Sequence, residues 1–166
     1  LAEEIRGISP SLDLFINNAS VFPEPEKLRA SKSLLEESWE DWELSLGVNA
    51  RAPFFLIKEL YPLLLKGSNP NVINILDSSV SKVFQTRASH SVSKHALAAI
   101  TELGAATLFP PVRVNALEIT KVFFPSDGLS PIAIQNSNDG VAIAHVIESV
   151  MSLIEDRTAN GVFLRV

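Results

Sequence analysis

Short apolar runs alternate with longer amphipathic stretches along this chain, a pattern typical of crossover units that connect the strands of a parallel sheet. Strands are predicted for four segments: 12–16, 72–76, 112–117 and 161–166. Helices are predicted for a short N-terminal segment and for 34–66, 89–108 and 139–155. Because helices and strands alternate along the whole chain, the pattern predicts an α/β fold with a doubly wound parallel sheet.

Two features interrupt this regular alternation. The helix predicted for 34–66 contains Pro53, which is expected to kink it because proline lacks an N–H and clashes with the preceding helical turn. The segment 118–138 has turn residues and no hydrophobic period, so it is predicted to be a long surface loop. A loop of that length in a compact domain usually indicates function or disorder.

Composition predicts one soluble domain over residues 1–166. Apolar residues make up 46% and charged residues 20%, which is typical of a globular protein, and no apolar run approaches the ~20 residues of a membrane-spanning helix. The net charge is -5 and the basic residues are scattered, so neither a nucleic-acid partner nor a membrane is expected. The absence of a recognisable targeting signal predicts a cytoplasmic location.

Cysteine and histidine usage argues against a metal site. The chain has no cysteine, which excludes disulfides, thiolate nucleophiles and cysteine-bound metals. His95 and His145 are lone helical histidines without the spacing of metal ligands, so no metal is expected.

Polar side chains follow three of the predicted strands. Asn17 and Asn18 come directly after the first strand, Asp77 follows the second, and Asn115 lies near the end of the third. In open α/β sheets, ligands bind beyond the carboxyl ends of the strands. We therefore expect these side chains to crowd one edge of the sheet.

His90 and Lys94 lie four residues apart at the start of the helix that follows the second strand, so they share one helix face near that edge. A neighbouring ammonium disfavours a protonated imidazole, whereas a carboxylate stabilises it. Asp77 therefore makes a carboxylate–imidazole proton donor chemically reasonable. The alternative is that His90 is merely the first-turn histidine of a degenerate site.

Four segments of the chain resemble the short-chain dehydrogenases/reductases, which are doubly wound enzymes that use NAD(H) or NADP(H). The segment NNAS at 17–20 resembles the family's Asn-Asn-Ala-Gly, and VNARAPFFL from Val48 resembles its helix-borne asparagine segment. HSVSK at 90–94 occupies the place of Tyr-x-x-x-Lys, and VRVNAL from Val112 resembles the next strand. Within the family, the chain is most similar to pteridine reductases and dihydromonapterin reductases, which also carry aspartate at the position of Asp77.

The resemblance implies an NADP(H)-dependent reductase that transfers hydride to a pterin or to a related carbonyl or imine. It implies that Lys94 binds the nicotinamide ribose, that Asp77 is the catalytic carboxylate and that Asn49 is the structural asparagine of a proton relay. His90 stands where the family has its tyrosine, and the loop 118–138 is expected to cover the substrate. The implied cofactor-binding residues are Asn17, Asn18, Ala19 and Lys94. Family members assemble as homodimers or homotetramers through the helices predicted here for 34–66 and 89–108, so an oligomer is expected.

Each of these side chains also has a purely structural interpretation. Asn17 and Asn18 are suited to capping strand ends. Asn49 then becomes a tolerated polar residue within a helix, Asp77 a turn residue and Lys94 a solvated helix lysine.

The chain departs from the family pattern in three places. Imidazole replaces phenol at His90, Glu118 and Ile119 replace a Pro-Gly pair, and no Gly-x-x-x-Gly-x-Gly turn for the cofactor pyrophosphate occurs. The opening LAEEIRGISPSLD resembles the helix before the family's fourth strand, so the chain is expected to be the C-terminal part of a Rossmann-like reductase without its first βα units. The competing function is that of a catalytically inactive relative retained as a binding or scaffold protein.

Overall fold

Four parallel strands form one sheet whose spatial order is the order of the chain. The computed structural model describes residues 2–22, 33–84, 88–120 and 143–166. The strands are β1 (Leu14–Asn17), β2 (Asn71–Asp77), β3 (Arg113–Ile119) and β4 (Phe163–Arg165). The helices are α1 (Ala2–Ile8), α2 (Trp39–Leu46), α3 (Ala52–Leu64), α4 (Ala88–Leu108) and α5 (Ile143–Glu155). The predicted α/β order and parallel sheet are confirmed.

Both faces of the sheet are buried, as the doubly wound prediction requires. On one face, Val72 and Val114 pack with Ile57 of α3. On the other face, Ile73 and Leu117 pack with Leu153 of α5. Neighbouring residues of a strand point to opposite faces, so a sheet covered on both sides needs continuous apolar runs rather than alternation. Within the described residues, no helix is both long and apolar enough to cross a bilayer.

The helix predicted for 34–66 begins later than expected. Residues 34–36 form a turn, and α2 begins at Trp39 behind a capping box. The Ser38 hydroxyl accepts a hydrogen bond from the Asp41 backbone N–H at 3.1 Å, and the Asp41 carboxylate accepts one from the Ser38 backbone N–H at 3.4 Å. This reciprocal cap satisfies N–H groups that have no partner within the helix, so it sets the helix start.

The distortion expected at Pro53 lies in the turn that precedes it. Residues Gly47–Arg51 form a widened π-type turn between α2 and α3, in which Ala52 donates its backbone N–H to the carbonyl of Gly47. Pro53 has no N–H to offer to the carbonyl of Asn49 four residues earlier, so regular α-helical bonding cannot continue there. Asn49 lies in this widened turn and is fully buried.

Strand β3 is longer than predicted. Glu118 and Ile119, which were predicted to begin a loop, pair with Leu76 and Asp77 of β2. The Glu118 carboxylate also accepts a hydrogen bond from Nε of Arg165 in β4 at 3.0 Å and forms an ion pair with its guanidinium, 2.9 Å from Nη2. The remainder of the predicted loop and the predicted start of the last helix at Asp139 lie outside the described residues.

Arg113 joins the start of β3 to the end of α5. Its side chain is buried, and its guanidinium donates hydrogen bonds to backbone carbonyls at the end of α5 and in the turn beyond it. The shortest of these runs to Asp156 at 2.7 Å. Since the last carbonyls of a helix have no partner within the helix, the guanidinium satisfies groups that would otherwise be buried and unpaired.

Arg113→Met is expected to lower the free energy of unfolding by about 3 kcal/mol, because it leaves several buried carbonyls without donors. Denaturant titration followed by circular dichroism measures this change. Arg51→Met is the matched control: Arg51 forms an exposed ion pair with Glu43, so its loss should cost less than about 1 kcal/mol. Equal effects of the two substitutions would show that the Arg113 contacts do not stabilise the fold.

Candidate active site

Asp77 lies at the carboxyl end of β2, where the strand turns into a short 3-10 helix at Ser78–Val80. One oxygen, Oδ1, accepts a hydrogen bond from the backbone N–H of Ser79 at 2.8 Å, so the carboxylate caps this turn. The other oxygen, Oδ2, lies 2.7 Å from Nε2 of His90 in the first turn of α4. The two residues that the sequence placed thirteen positions apart are therefore in direct contact.

Both ring nitrogens of His90 face hydrogen-bond acceptors. Nε2 faces the carboxylate of Asp77, and Nδ1 lies 3.1 Å from the backbone carbonyl oxygen of Val21. A carbonyl and an ionised carboxylate only accept hydrogen bonds, and an imidazole donates from both nitrogens only when it is protonated. A neutral ring can therefore donate to one of these two acceptors, and a protonated ring to both.

The pKa of Asp77 is held well below its usual range. Burial alone raises this pKa, but the hydrogen bonds from His90 and from Ser79, together with the charge of His90, more than offset that effect. The carboxylate is consequently ionised at neutral pH. It is also the more accessible member of the pair, with 35% of its side chain exposed against 10% for His90.

Lys94 lies one helical turn after His90 and is 3% exposed. Its Nζ donates a hydrogen bond to the backbone carbonyl of Ile75 in β2 at 3.0 Å. Burial lowers the pKa of Lys94, and the nearby charge of Asp77 acts in the opposite direction. The interpretation of Lys94 as a solvated helix lysine is therefore wrong.

Asn49 connects the loop after β1 to α4. Its Oδ1 accepts a hydrogen bond from the backbone N–H of Val21 at 2.8 Å, and its Nδ2 donates to the Val21 carbonyl at 3.0 Å. The same Nδ2 donates to Oγ of Ser93 at 2.9 Å, and that hydroxyl donates to the backbone carbonyl of His90 at 2.7 Å. Asn49 thus has three hydrogen bonds and is not merely a tolerated polar residue.

The asparagines predicted to crowd this edge do not all reach it. Asn17 is buried and donates to Oδ1 of Asn74 at 2.8 Å, so it takes part in the packing of β1 against β2. Asn18 and Ala19 follow at the carboxyl end of β1 and are exposed. The expectation for Asn115 is wrong: it lies in the middle of β3, and its amide group donates to Asn71 and to the backbone carbonyl of residue 159.

Three residues contribute to the site although no motif in the sequence predicts that they do so. Val21 acts through its backbone, which any residue possesses. Ser93 lies within HSVSK, but nothing in the motif shows that its hydroxyl bridges two helices. Phe22, which is 37% exposed, packs edge-on against the ring of His90 with the centroids 5.2 Å apart. Proximity to the Asn-Asn-Ala-Ser segment is the only hint for Val21 and Phe22.

The described part of the chain holds no cluster of three or more histidine or carboxylate side chains able to bind a metal ion. What the edge does bring together is a carboxylate, an imidazole and a buried ammonium. A carboxylate and an imidazole in contact can hold and pass a proton, and an ammonium can bind hydroxyl oxygens.

The lowered pKa of Asp77 predicts a specific acid response. Because the folded-state pKa lies below the unfolded value of 3.8, the carboxylate stabilises the fold above about pH 4, and this contribution is lost as the pH falls. The free energy of unfolding of the Asp77→Asn variant, measured from about pH 5 to about pH 2, should therefore fall less steeply than that of the unsubstituted protein. Glu102→Gln, on the exposed face of α4, should keep the original slope. Identical slopes for Asp77→Asn and the unsubstituted protein would contradict the prediction.

Sequence comparison finds relatives that are described as dehydrogenases or reductases. Residues 1–123 match the family model described as enoyl-(acyl carrier protein) reductase. The chain is 29% identical over 119 residues to the short chain dehydrogenase tazN of Aspergillus terreus, covering 70% of this chain and 25% of that protein. It is 32% identical over 110 residues to tropinone reductase-like 3 of Erythroxylum coca, covering 64% of this chain and 38% of that protein. The chain therefore spans between 25% and 38% of the length of these two relatives.

Structural comparison shows the same fold. A short-chain dehydrogenase of Escherichia coli CFT073, crystallised in complex with NADPH, superimposes with a TM-score of 0.80 at 21% identity over 99% of this chain and 66% of that chain. This likeness extends through all four strands of the sheet. Since the family match covers most of the chain, the chain belongs to the short-chain dehydrogenase/reductase family.

Proposed function

We propose that this chain is the substrate-binding and nicotinamide-proximal part of an NADPH-dependent reductase, which transfers hydride to a pterin or to a related carbonyl or imine. In this proposal residues 1–166 belong to one Rossmann-like domain of a cytoplasmic enzyme. The observation that carries it is the 2.7 Å contact between Asp77 and His90 beside the buried ammonium of Lys94. These are the groups that reduction of a polar double bond requires besides a hydride source.

The residues present fit the ribose end of a nicotinamide coenzyme. An ammonium carries three N–H groups, and Lys94 directs one of them to the carbonyl of Ile75. The other two N–H groups have no partner among the residues that the structure describes, so they are suited to the hydroxyls of a ribose. The coenzyme, when bound, supplies the hydride. The exposed residues Asn18 and Ala19, at the end of β1, are proposed to line the same side of the coenzyme site.

Asp77 and His90 together supply the proton. When a hydride adds to the carbon of a C=O or C=N bond, the oxygen or nitrogen gains negative charge and must be protonated. The ion pair holds a proton between Oδ2 and Nε2 and has one partly exposed face, at the Asp77 carboxylate. A protein that orients such a pair lowers the activation barrier for this protonation, and the charge of the protein is the same before and after a complete turnover.

Phe22 favours a flat, apolar-faced substrate. Its ring is partly exposed and packs in a T-shaped arrangement with the His90 imidazole, so an aromatic side chain lies next to the proposed proton donor. Aromatic faces stack well on planar heterocycles. Together with the aspartate that the chain shares with the pteridine reductases, this favours a pterin over a small aliphatic ketone.

A second function, that of an inactive binding protein, is favoured by one observation. Both nitrogens of His90 are engaged by protein acceptors and the side chain is 10% exposed, so the ring does not face solvent in the way an isolated proton donor does. Under this alternative the ion pair only stabilises the start of α4.

Turnover separates the two functions. The full-length protein is expected to oxidise NADPH with a dihydropterin, and Asp77→Asn or His90→Phe should slow this by about 100-fold or more because each removes part of the proton donor. His95→Phe is the matched control, since His95 lies on the exposed face of the same helix. NADPH binding without turnover, unchanged by either site substitution, would instead support the binding protein. A gain of activity in His90→Tyr would show that the remainder of the site is intact.

We also propose that the protein assembles as a homodimer or homotetramer through α3 and α4. A cavity of about 310 Å³ lies between these helices and is lined mainly by apolar side chains. Phe54 and Leu103 line it and remain 43% and 54% exposed, and Phe55 beside them is 49% exposed. Apolar surface of this kind favours contact with a second copy.

Leu103→Glu is expected to convert the oligomer to a monomer, because it places a charge in the apolar interface. Size-exclusion chromatography with light scattering measures the mass directly. Ile147→Glu serves as the control, since Ile147 is an equally exposed apolar residue of α5 on the opposite face of the sheet. A mass unchanged by Leu103→Glu would place any interface elsewhere.

A further inference from the structure

Asn160 and Gly161, just before β4, form the only Asn-Gly pair in the chain. An asparagine followed by glycine is the pair most prone to deamidation. The backbone nitrogen of the second residue attacks the side-chain amide of the first, and glycine has no Cβ to hinder the attack. Gly161 has a φ of 73°, a left-handed conformation that favours glycine, so the fold itself requires glycine at this position. The chain therefore carries a labile amide at the start of its last strand.

Both groups that would react are held by neighbouring elements. The amide of Asn160 donates from Nδ2 to the carbonyl of Ala105 in α4 at 2.9 Å. Its Oδ1 accepts a hydrogen bond from the backbone N–H of Val114 in β3 at 3.0 Å. The backbone N–H of Gly161 donates to the carbonyl of the same Val114 at 2.9 Å. Since the attacking nitrogen must first lose this hydrogen, the fold protects both partners of the reaction.

The residues that follow extend the same contact with β3. The backbone N–H of Val162 donates to Oδ1 of Asn115 at 3.0 Å, and its carbonyl accepts a hydrogen bond from Ala116 at 2.9 Å. At the end of β4, Arg165 forms its ion pair with the buried carboxylate of Glu118. β4 is the outer strand of the described sheet, so it has β3 as its strand neighbour on one side and none on the other. The protection of the amide therefore depends on the pairing of β3 with β4.

We propose that Asn160 is a latent modification site, at which water converts the side-chain amide to a carboxylate when the pairing of β3 with β4 opens. This inference does not depend on the proposed reductase function. The paired state keeps the amide intact, and each local opening of the outer strand frees it to react. The extent of modification then reports how often this strand has opened.

The reaction needs a base and water, and no other reagent. The base removes the proton from the backbone nitrogen of Gly161, which forms a bond to Cγ of Asn160. The bond between Cγ and Nδ2 breaks, and the nitrogen takes up a proton and leaves as ammonia. Water then opens the cyclic imide at either of its two carbonyls. One product is aspartate, and the other is an isoaspartyl linkage in which the backbone runs through the former side chain.

Neither product restores the original contacts. The carboxylate oxygen that replaces Nδ2 has no hydrogen to donate, so it meets the carbonyl of Ala105 as a second acceptor. An isoaspartyl linkage also adds a carbon atom to the backbone just before β4, which disturbs the pairing of Phe163 with Ala116. Modification is therefore expected to keep the segment open once it has occurred.

Peptide mass spectrometry of the full-length protein, incubated in mildly alkaline buffer, measures the rate of deamidation at Asn160. The rate should be at least ~100-fold lower in the folded protein than in the same protein unfolded by urea, because reaction in the folded protein requires opening. In urea, Gly161→Ala should slow the reaction, since a methyl group hinders the attacking nitrogen. This arm identifies the cyclic imide route and does not require the variant to fold.

Arg165→Met tests whether opening of β4 controls the reaction. It removes the partner of Glu118 and should speed deamidation in the folded protein about tenfold. Arg51→Met is the matched control, because Arg51 also pairs with a glutamate but forms an exposed ion pair with Glu43 of α2. Hydrogen exchange of the Gly161 N–H should accelerate by the same factor as deamidation, since one opening frees both groups.

A second matched pair carries the test where Arg165→Met does not fold. The hydroxyl of Thr120 donates to the carbonyl of Val166 just beyond β4 at 2.6 Å, whereas that of Thr107 donates to a carbonyl within α4. Thr120→Val should therefore speed deamidation, and Thr107→Val should leave it unchanged. Equal rates in the folded and the unfolded protein overturn the inference. Equal rates within the matched pair also overturn it, because opening of β4 would then not control the reaction.

Discussion

A buried amide must find hydrogen-bond partners, and in this chain the amide of Asn49 finds them on two other elements at once. The widened turn Gly47–Arg51 lies just before Pro53, which has no N–H to continue regular helical bonding, and in this turn Asn49 contacts both the loop after β1 and α4. A regular α-helix through the same residues is not expected to place that amide between Val21 and Ser93. The Asn49 amide thus joins this turn to the loop after β1 and to α4, next to His90.

Burial acts in opposite directions on the net pKa shifts of the two charged groups at the site, Lys94 and Asp77. Lys94 is buried at a cost, since its pKa is lowered mainly by the loss of solvent, and the attraction of Asp77 offsets only part of that effect. The Asp77 carboxylate, by contrast, gains more from His90 and Ser79 than it loses by burial. Buried ammonium groups with lowered pKa values cluster at functional sites in proteins, so the environment of Lys94 is consistent with the role proposed for it.

The sequence predicted the parts of the fold and of the site that depend on periodicity and on strand ends. Continuous apolar runs predicted a sheet covered on both faces, and the spacing of Asp77, His90 and Lys94 placed the three side chains at one edge. Asn115 was expected at the edge of the sheet, and that expectation was wrong. Asn115 lies inside β3, so its side chain points to a face of the sheet and contacts Asn71 there. The Val21 carbonyl was unpredictable, since a backbone group has no signature in a sequence. The family match bears out the resemblance to short-chain reductases, while the pterin substrate remains a proposal.

Replacing a phenol by an imidazole changes more than the strength of the acid. A tyrosine hydroxyl has one proton and can present it directly, whereas an imidazolium has two N–H groups pointing in opposite directions. In this chain both ring nitrogens face protein acceptors, Nε2 the carboxylate of Asp77 and Nδ1 the carbonyl of Val21. A carboxylate at position 77 also supplies a negative charge, which stabilises a protonated imidazole beside it. The histidine and the aspartate are therefore chemically matched as a contacting pair.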